Sequence, residues 1–356
     1  MKPLFILGRN VKLSIAELKA VFGERDFVLE KNAVLIELDS LEKDVIDKLG
    51  GTIAIGEVIC NINELEDKEI YFGSKNKFNY VVWNFSKNTD AVSDILKRKF
   101  KEEWLKTTEK KINEDMELQD RGRAKILRSK KLVNEQYFVF EEEFGKIIQT
   151  CDYTEIEERD MKKPVRREAL SISPRLAKIM INLSGVKKGE KLVDSFCGIG
   201  VILQEALLKG IKVIGIDKDK KAIEGAEKNF KWFNFSKEDY KLINQDSSKV
   251  KIEQTQVLVA EPDLGETLKH IPSTNQARRT LSNFEDLIIQ VINNLKPRIS
   301  GKIVLTAPLI KTSKGRLGCN FEEVVSKTKL RLAEGFPIQE FRKNQIVGRE
   351  IVVLEQ

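Results

Sequence analysis

The chain has 356 residues, room for about two or three domains with full-sized cores, and at 41% apolar and 33% charged residues it does not read as disordered. No apolar run nears the roughly 18 residues of a membrane span, and the opening MKPLFILGRNVKLS lacks a long apolar signal region, so a cytoplasmic protein without a membrane segment is expected. Four scattered cysteines (60, 151, 197 and 319) and one histidine, His270, leave no metal-ligand cluster and no disulfide framework, while the net charge of +7 suits a polyanionic partner.

Along the chain, residues 1–60 predict a small α/β region. A strand at 4–7 is followed by Gly8-Arg9-Asn10, an amphipathic stretch SIAELKAVFG, a strand at 33–38, a helix over 41–49, Gly50-Gly51 and a strand at 52–60. Residues 61–155 predict a second α/β module, with a strand at 80–84, a helical stretch over 91–106 and a strand pair around 137–140 and 146–151. Between them lies RGRAKILRSKK, in which Arg121, Arg123, Lys125, Arg128, Lys130 and Lys131 stand without an acid. A solvated face explains any charge run, and a contact to an RNA backbone explains this one as well. The charged connector 154–169 contains Pro164 and few apolar residues, and the domain junction is expected there.

From Ser173-Pro174-Arg175 a helix begins in which Leu176, Ile179, Met180 and Leu183 recur at helical spacing, and Gly185 closes it. The strand at 192–193 then enters Asp194-Ser195-Phe196-Cys197-Gly198-Ile199-Gly200, where two glycines let the backbone approach a ligand. A helix over 201–209, with Ile202, Ala206 and Leu207 on one face, stops at Gly210, and a strand at 213–216 delivers Asp217 nineteen residues after Gly198. That is the spacing at which an acid reaches the hydroxyls of a ribose. Leu203 occupies the place of the third glycine in G-x-G-x-x-G. A dinucleotide pyrophosphate needs that glycine and S-adenosylmethionine does not, so the motif favours S-adenosylmethionine.

Further elements continue the alternation: a helix over 220–232, strands at 240–244 and 256–260, a helix over 281–295, a strand at 302–306 and a closing strand at 345–354. Helices between strands predict a largely parallel sheet with helices on both faces. Asp246, after the third strand, could accept a hydrogen bond from an adenine amine or be a plain turn acid; Lys218 and Ser247 flank the two acids. Glu261-Pro262-Asp263-Leu264 follows the strand ending at 260, at the sheet edge where ligands sit. Cys197 reads as a small buried side chain beside the cofactor rather than a nucleophile.

Taken in order, these residues resemble the THUMP-containing tRNA guanosine N2-methyltransferases, which methylate guanosine 10 of tRNA. Arg159-Asp160, Pro164 and Arg166, then Ser173-Pro174-Arg175-Leu176-Ala177 with Met180, Asn182 and Leu183, look like the family's linker and first helix. DSFCGIGVILQEAL looks like its cofactor motif and IGIDKD like its ribose acid, while FILGRNVKLSIAEL and LGGTIAIGEV look like its N-terminal and THUMP-associated parts. The resemblance implies a Rossmann-like methyltransferase domain (173–356) after an N-terminal ferredoxin-like α/β region (1–60), a THUMP domain that grips tRNA (61–155) and a linker (156–172). It also implies S-adenosylmethionine as donor and tRNA as partner; the need for a small activating subunit, such as some relatives use, stays open in the sequence. Asp194, Phe196, Cys197, Gly198, Gly200, Asp217, Lys218, Asp246 and Ser247 would hold the cofactor.

The chain departs from the family at the catalytic motif, typically Asp-Pro-Pro-Tyr. Glu261 supplies a carboxylate on a longer arm, Pro262 is retained, Asp263 replaces the second proline, and Leu264 stands where an aromatic ring would stack on the base. Phe230, Trp232, Phe233 and Phe235 could supply a ring, and at helical spacing they also read as core. Two other readings stay open: a tRNA-binding protein that keeps the pocket without catalysis, and a methyltransferase of an amine in DNA or protein.

Overall fold

A computed structural model describes residues 1–110, 133–167, 172–264, 268 and 270–356. The chain divides into two compact units, Met1–Ile15 with Phe22–Glu158, and Ala16–Val21 with Arg159–Gln356.

The first unit contains β1 (Pro3–Leu7), α1 (Val11–Phe22, whose residues 16–21 group with the second unit), β2 (Phe27–Glu30), β3 (Ala33–Ile36), α2 (Val45–Lys48) and β4 (Thr52–Asn61). It continues with β5 (Lys77–Asn84), α3 (Thr89–Glu102), β6 (Lys106–Glu109), β7 (Glu135–Phe140) and β8 (Glu143–Thr150). Among the described residues its eight strands form one sheet in the order β2-β3-β1-β4-β8-β7-β5-β6. Strands from 1–60 and from 61–155 therefore share a sheet, joined where β4 runs antiparallel to β8 from Ala54 opposite Thr150 to Asn61 opposite Glu143. Phe138 of β7 makes that join close-packed: its ring fills the space over Gly56 and Gly145, where neither strand has a side chain. The sheet buries an apolar cluster on each face, one with Leu4, Trp83 and Phe138, the other with Tyr80, Tyr137 and Phe100 of α3.

The charged connector is not an irregular linker throughout. Its first part is α4 (Tyr153–Lys162), a helix with no buried residue, started by Asp152, whose carboxylate accepts the amides of Thr154 (2.9 Å) and Glu155 (3.0 Å). The division between the units falls inside it.

The second unit opens with α5 (Pro174–Ser184), capped by the Ser173 hydroxyl and ended by Gly185 at φ 73°. It continues with β9 (Lys191–Asp194), α6 (Val201–Leu208), β10 (Lys212–Asp217), α7 (Lys220–Trp232), β11 (Tyr240–Asn244), β12 (Val257–Ala260) and α8 (Thr274–Leu295). Then come β13 (Ile303–Thr312), β14 (Gly315–Leu317), α9 (Phe321–Thr328), β15 (Arg331–Leu332), β16 (Ile338–Glu340) and β17 (Val347–Glu355). The sheet order is β11-β10-β9-β12-β13-β17-β15. The first five strands are parallel and β17 enters antiparallel to β13 and β15. The strand expected to close the sheet is thus inserted within it. One face buries Ile214, Ile216, Leu258, Leu305 and Val352 against Phe284, Ile288 and Ile292 of α8, while α5 packs on β12, β13 and β17 and α6 on β9 and β10 of the same sheet. This is a Rossmann-like architecture, with the strand order reversing between β9 and β12, which opens a crevice at their carboxyl ends.

Candidate active site

The carboxyl ends of the parallel strands place the acids. Asp194 ends β9, Asp217 ends β10, Asp246 follows β11 and Glu261 follows β12. The glycine turn between β9 and α6 is left-handed at Gly198 (φ 51°) and Gly200 (φ 86°), and a Cβ on Gly200 would lie 2.7 Å from the Phe230 ring. Asp217 ties this turn to its own strand: Gly198 N donates to Oδ2 at 2.9 Å and Asp219 N to Oδ1 at 2.8 Å. A carboxylate offers about four acceptor positions, so two remain for ribose hydroxyls.

Around these groups is a cleft of ≈ 710 Å³, lined among others by Phe196, Asp217, Lys218, Asp246, Ser247, Glu261, Pro262 and Asp263. Eight of the residues expected at the site therefore share one cavity, of a size usual for small-molecule sites. A larger recess of ≈ 920 Å³ in the first unit, lined by loop residues such as Glu30, Asn84 and Glu141, holds none of them. Asp194, Cys197, Gly198 and Gly200 support the cleft without lining it. Asp194 is buried and accepts the Phe196 amide at 3.0 Å; burial pushes its carboxyl well above the usual range, and the charges of Asp217 and Glu261 push the same way. Cys197 is buried and its thiol is pushed well up, again chiefly by burial, so it packs and does not attack. Asp246 is exposed; the amide (2.9 Å) and hydroxyl (2.8 Å) of Ser248 hold its Oδ1 and its carboxyl below the usual range, leaving Oδ2 for a ligand.

The donor set fits S-adenosylmethionine. Ser195 Oγ, buried and lining the cleft, has no hydrogen-bond partner among the described residues, a vacancy that ordinarily costs about 1–3 kcal/mol and that a polar ligand atom would fill. Asp217 lies where a ribose would sit, and no glycine is required at Leu203, which packs over β10 instead.

Glu261, just after β12, is mostly buried. Burial raises its carboxyl above the usual range against the pull of Arg349, whose Nε donates to Oε1 at 2.6 Å, and of the Ile172 amide. Pro262 is buried, Asp263 exposed, and Leu264 packs against the α8 side of the core while also lining the cleft. None of Phe230, Trp232, Phe233 and Phe235 lines the cleft; Phe230 is fully buried against Tyr240, with ring centroids 4.8 Å apart. Apolar lining comes from Leu264, Leu268, Leu287, Ile346 and Val347.

Two arginines at the cleft were not singled out from the sequence. Arg167 pairs with Asp219 at 2.6 Å, after the Asn229 side chain has bound both the amide and the carbonyl of Val165 and so fixed the path of the connector. Arg349 comes from β17, where an arginine just ahead of the buried run Ile351–Leu354 was the available signal. The basic residues Arg121, Arg123, Lys125, Arg128, Lys130 and Lys131 lie outside the described residues.

A glycine turn after the first parallel strand, an acid ending the second and a carboxylate-proline pair after the fourth are arranged as a Rossmann-like domain that takes S-adenosylmethionine would need them. Residues 163–284 match the UPF0020 family, described as an RMKL-like methyltransferase domain. The expected resemblance is also what curated relatives return. The chain is 32% identical over 139 residues to a tRNA (guanine(10)-N2)-dimethyltransferase of Methanothermobacter thermautotrophicus, covering 39% of each chain. It is 27% identical over 287 residues to the protein of the same description from Methanocaldococcus jannaschii, covering 72% of this chain and 80% of that one. In the first of these alignments the chain spans well under half of the relative's length. Among solved structures, a possible methylase from Clostridium difficile 630 superposes with a TM-score of 0.50 at 14% identity, over 99% of this chain and 97% of that one, a likeness of fold. Among the described residues, no helix is long and apolar enough to cross a membrane.

Proposed function

We propose that this chain transfers a methyl group from S-adenosylmethionine to the exocyclic N2 amine of a guanosine in tRNA, at position 10. The observation that carries the reading is the placement of Glu261 and Pro262 at the carboxyl end of β12, in the same cleft as Asp217. The named activities of the relatives agree with it.

An aromatic amine is a weak nucleophile because its lone pair is delocalised into the ring. Glu261, by accepting hydrogen bonds from the amine, would turn that lone pair toward the methyl carbon. S-adenosylmethionine, when bound, would supply the methyl group, its carbon–sulfur bond breaking with the electron pair left on sulfur as the N–C bond forms; the proton made acidic on the methylated nitrogen would pass to solvent water. The apolar wall of Leu264, Leu268 and Ile346 would exclude water and hold the base in place of a stacking tyrosine. Residues 61–155 would act as the THUMP-type RNA-binding domain, with the basic run at 121–131 touching phosphates.

Incubation with labelled donor and an unmodified tRNA transcript, followed by nucleoside mass spectrometry, is expected to give N2-methylguanosine or its dimethyl form mapped to position 10. Label in another base, or none, overturns the reading. The packing of Leu264 into the core favours a second one, a tRNA-binding protein that holds the cofactor without turnover. It predicts cofactor binding in the same preparation and no label in RNA.

A further inference from the structure

We propose that Arg349 is a specificity-determining residue, which together with Glu261 reads the Watson–Crick edge of guanine and rejects adenine. The inference rests on the reading of the chain as a guanosine N2-methyltransferase and adds to it the groups that choose the base.

Arg349 and Glu261 are 88 positions apart in sequence and meet at the cleft wall, where both line the cavity. Their side chains are 22% and 10% exposed. The guanidinium spends its Nε on Glu261 Oε1; its terminal amino groups make no hydrogen bond or ion pair among the described residues, and Arg349 lines the cleft. On the carboxylate, Nε and the Ile172 amide occupy two of about four acceptor positions, so two acceptors remain. The wall thus offers, side by side, two acceptors and a planar set of donors.

Guanine presents the complement along one edge: N2–H and N1–H as donors, then O6 as acceptor. A carboxylate that accepts N2–H and N1–H brings a guanidinium bound to its N1-side oxygen next to O6. Adenine offers an amine donor where guanine has O6 and an acceptor where guanine has N1–H, so both protein groups would face their own kind. A site built to bond specific polar groups discriminates strongly because its buried groups are otherwise left unpaired. The partly buried ion pair supports the same assignment. Removing two charges from water costs more than packing apolar residues there, so the pair is poorly explained by stability alone. The fixed fork of an arginine, unlike a lysine ammonium, can hold Glu261 with one nitrogen and offer others to a ligand.

The test compares two tRNA transcripts, one with guanosine and one with 2-aminopurine at the modified position. 2-Aminopurine keeps the N2 amine and lacks both O6 and N1–H. The wild-type protein is expected to prefer guanosine in kcat/KM by about ten- to a hundredfold. Arg349→Met should lower that preference by about fivefold or more, and Arg349→Lys, which keeps a charge beside Glu261, by less. Each ratio is measured on one preparation, so the fraction of folded protein cancels. If folded Arg349→Lys or Arg349→Met slows both substrates equally and leaves the ratio at its wild-type value, Arg349 is a counterion only and the inference falls while the activity stands. If the wild-type protein makes no methylated guanosine, the underlying reading falls and the inference with it.

Discussion

Leu203 of α6 lies directly over Gly215 of β10: a Cβ added at Gly215 would sit 2.5 Å from Leu203 Cδ1, 2.8 Å from Leu242 Cδ2 and 3.0 Å from Cys197 Sγ. The glycine that a dinucleotide site places on the helix has been moved to the strand, which keeps the helix close without a glycine at position 203. Gly215→Ala is therefore expected to overpack this contact and destabilise the second unit by about 1–3 kcal/mol. In the double variant with Leu203→Ala, the loss should fall short of the sum of the single losses by at least about 1 kcal/mol. Urea unfolding of the four proteins measures this coupling, and strict additivity would show that the two side chains do not share the space.

Asp217 braces the turn, and on the proposed reading it also meets the ribose. Asp217→Asn keeps one acceptor oxygen but turns an NH2 toward the amide of Gly198 or Asp219. We expect a stability loss of about 1–2 kcal/mol and a cofactor affinity lower by about ten- to a hundredfold, the range for a hydrogen bond to a charged group. Isothermal titration reads the second effect; wild-type affinity would remove Asp217 from the cofactor site.

Asp194 should make ligand-free stability depend on pH. Its folded-state carboxyl is raised by burial. As pH climbs past the ordinary carboxylate range near 4, the unfolded chain loses this proton first, so the stability fully present below that pH declines toward the folded-state value. Asp194→Asn holds the neutral form permanently. It is expected to melt higher than wild type at pH 7, by about 2–4 °C for each 1 kcal/mol recovered, and to lose that advantage near pH 4. The same variant should bind cofactor more weakly. A gain that persists unchanged at pH 4 would point to some other cause.

Glu261→Gln leaves the volume of the side chain and part of its contact with Arg349, and removes the charge that, on the proposed mechanism, would orient the amine. Turnover on tRNA should drop by about a hundredfold or more, in line with the loss of one acid-base or electrostatic group, while cofactor affinity changes by less than about threefold. Full turnover in this variant would take Glu261 out of the mechanism.

How much of this was legible depended on sequence distance. The helix at 220–232 and the strand at 240–244 have the bounds their periodicity predicts, because their apolar residues repeat locally. The helix expected at 281–295 begins at Thr274, and its signal was present: Ser273 and Gln276 form a capping box ahead of polar turns that show no apolar stripe. The charged connector hides α4 for a similar reason, since a helix with no fully buried residue shows little apolar periodicity to read. Pairings between distant strands left no local trace at all. Neither the β4–β8 join nor the approach of Arg349 to Glu261 follows from any window of the chain. The acids at 194, 217, 246 and 261 could be found because each ends a strand or follows one within two residues, whereas their protonation and their partners required the fold.

The insertion of β17 between β13 and β15 has a consequence for how activity is acquired. The pocket draws one wall from residues 344–349, so the polypeptide between Glu261 and Arg349 must be threaded into place before the guanidinium meets the carboxylate. Contacts of such long range form late, because the entropy of closing the intervening loop is spent before they return anything. A chain in which β9, β10 and the glycine turn have formed without β17 lacks the wall of the cleft that carries Arg349.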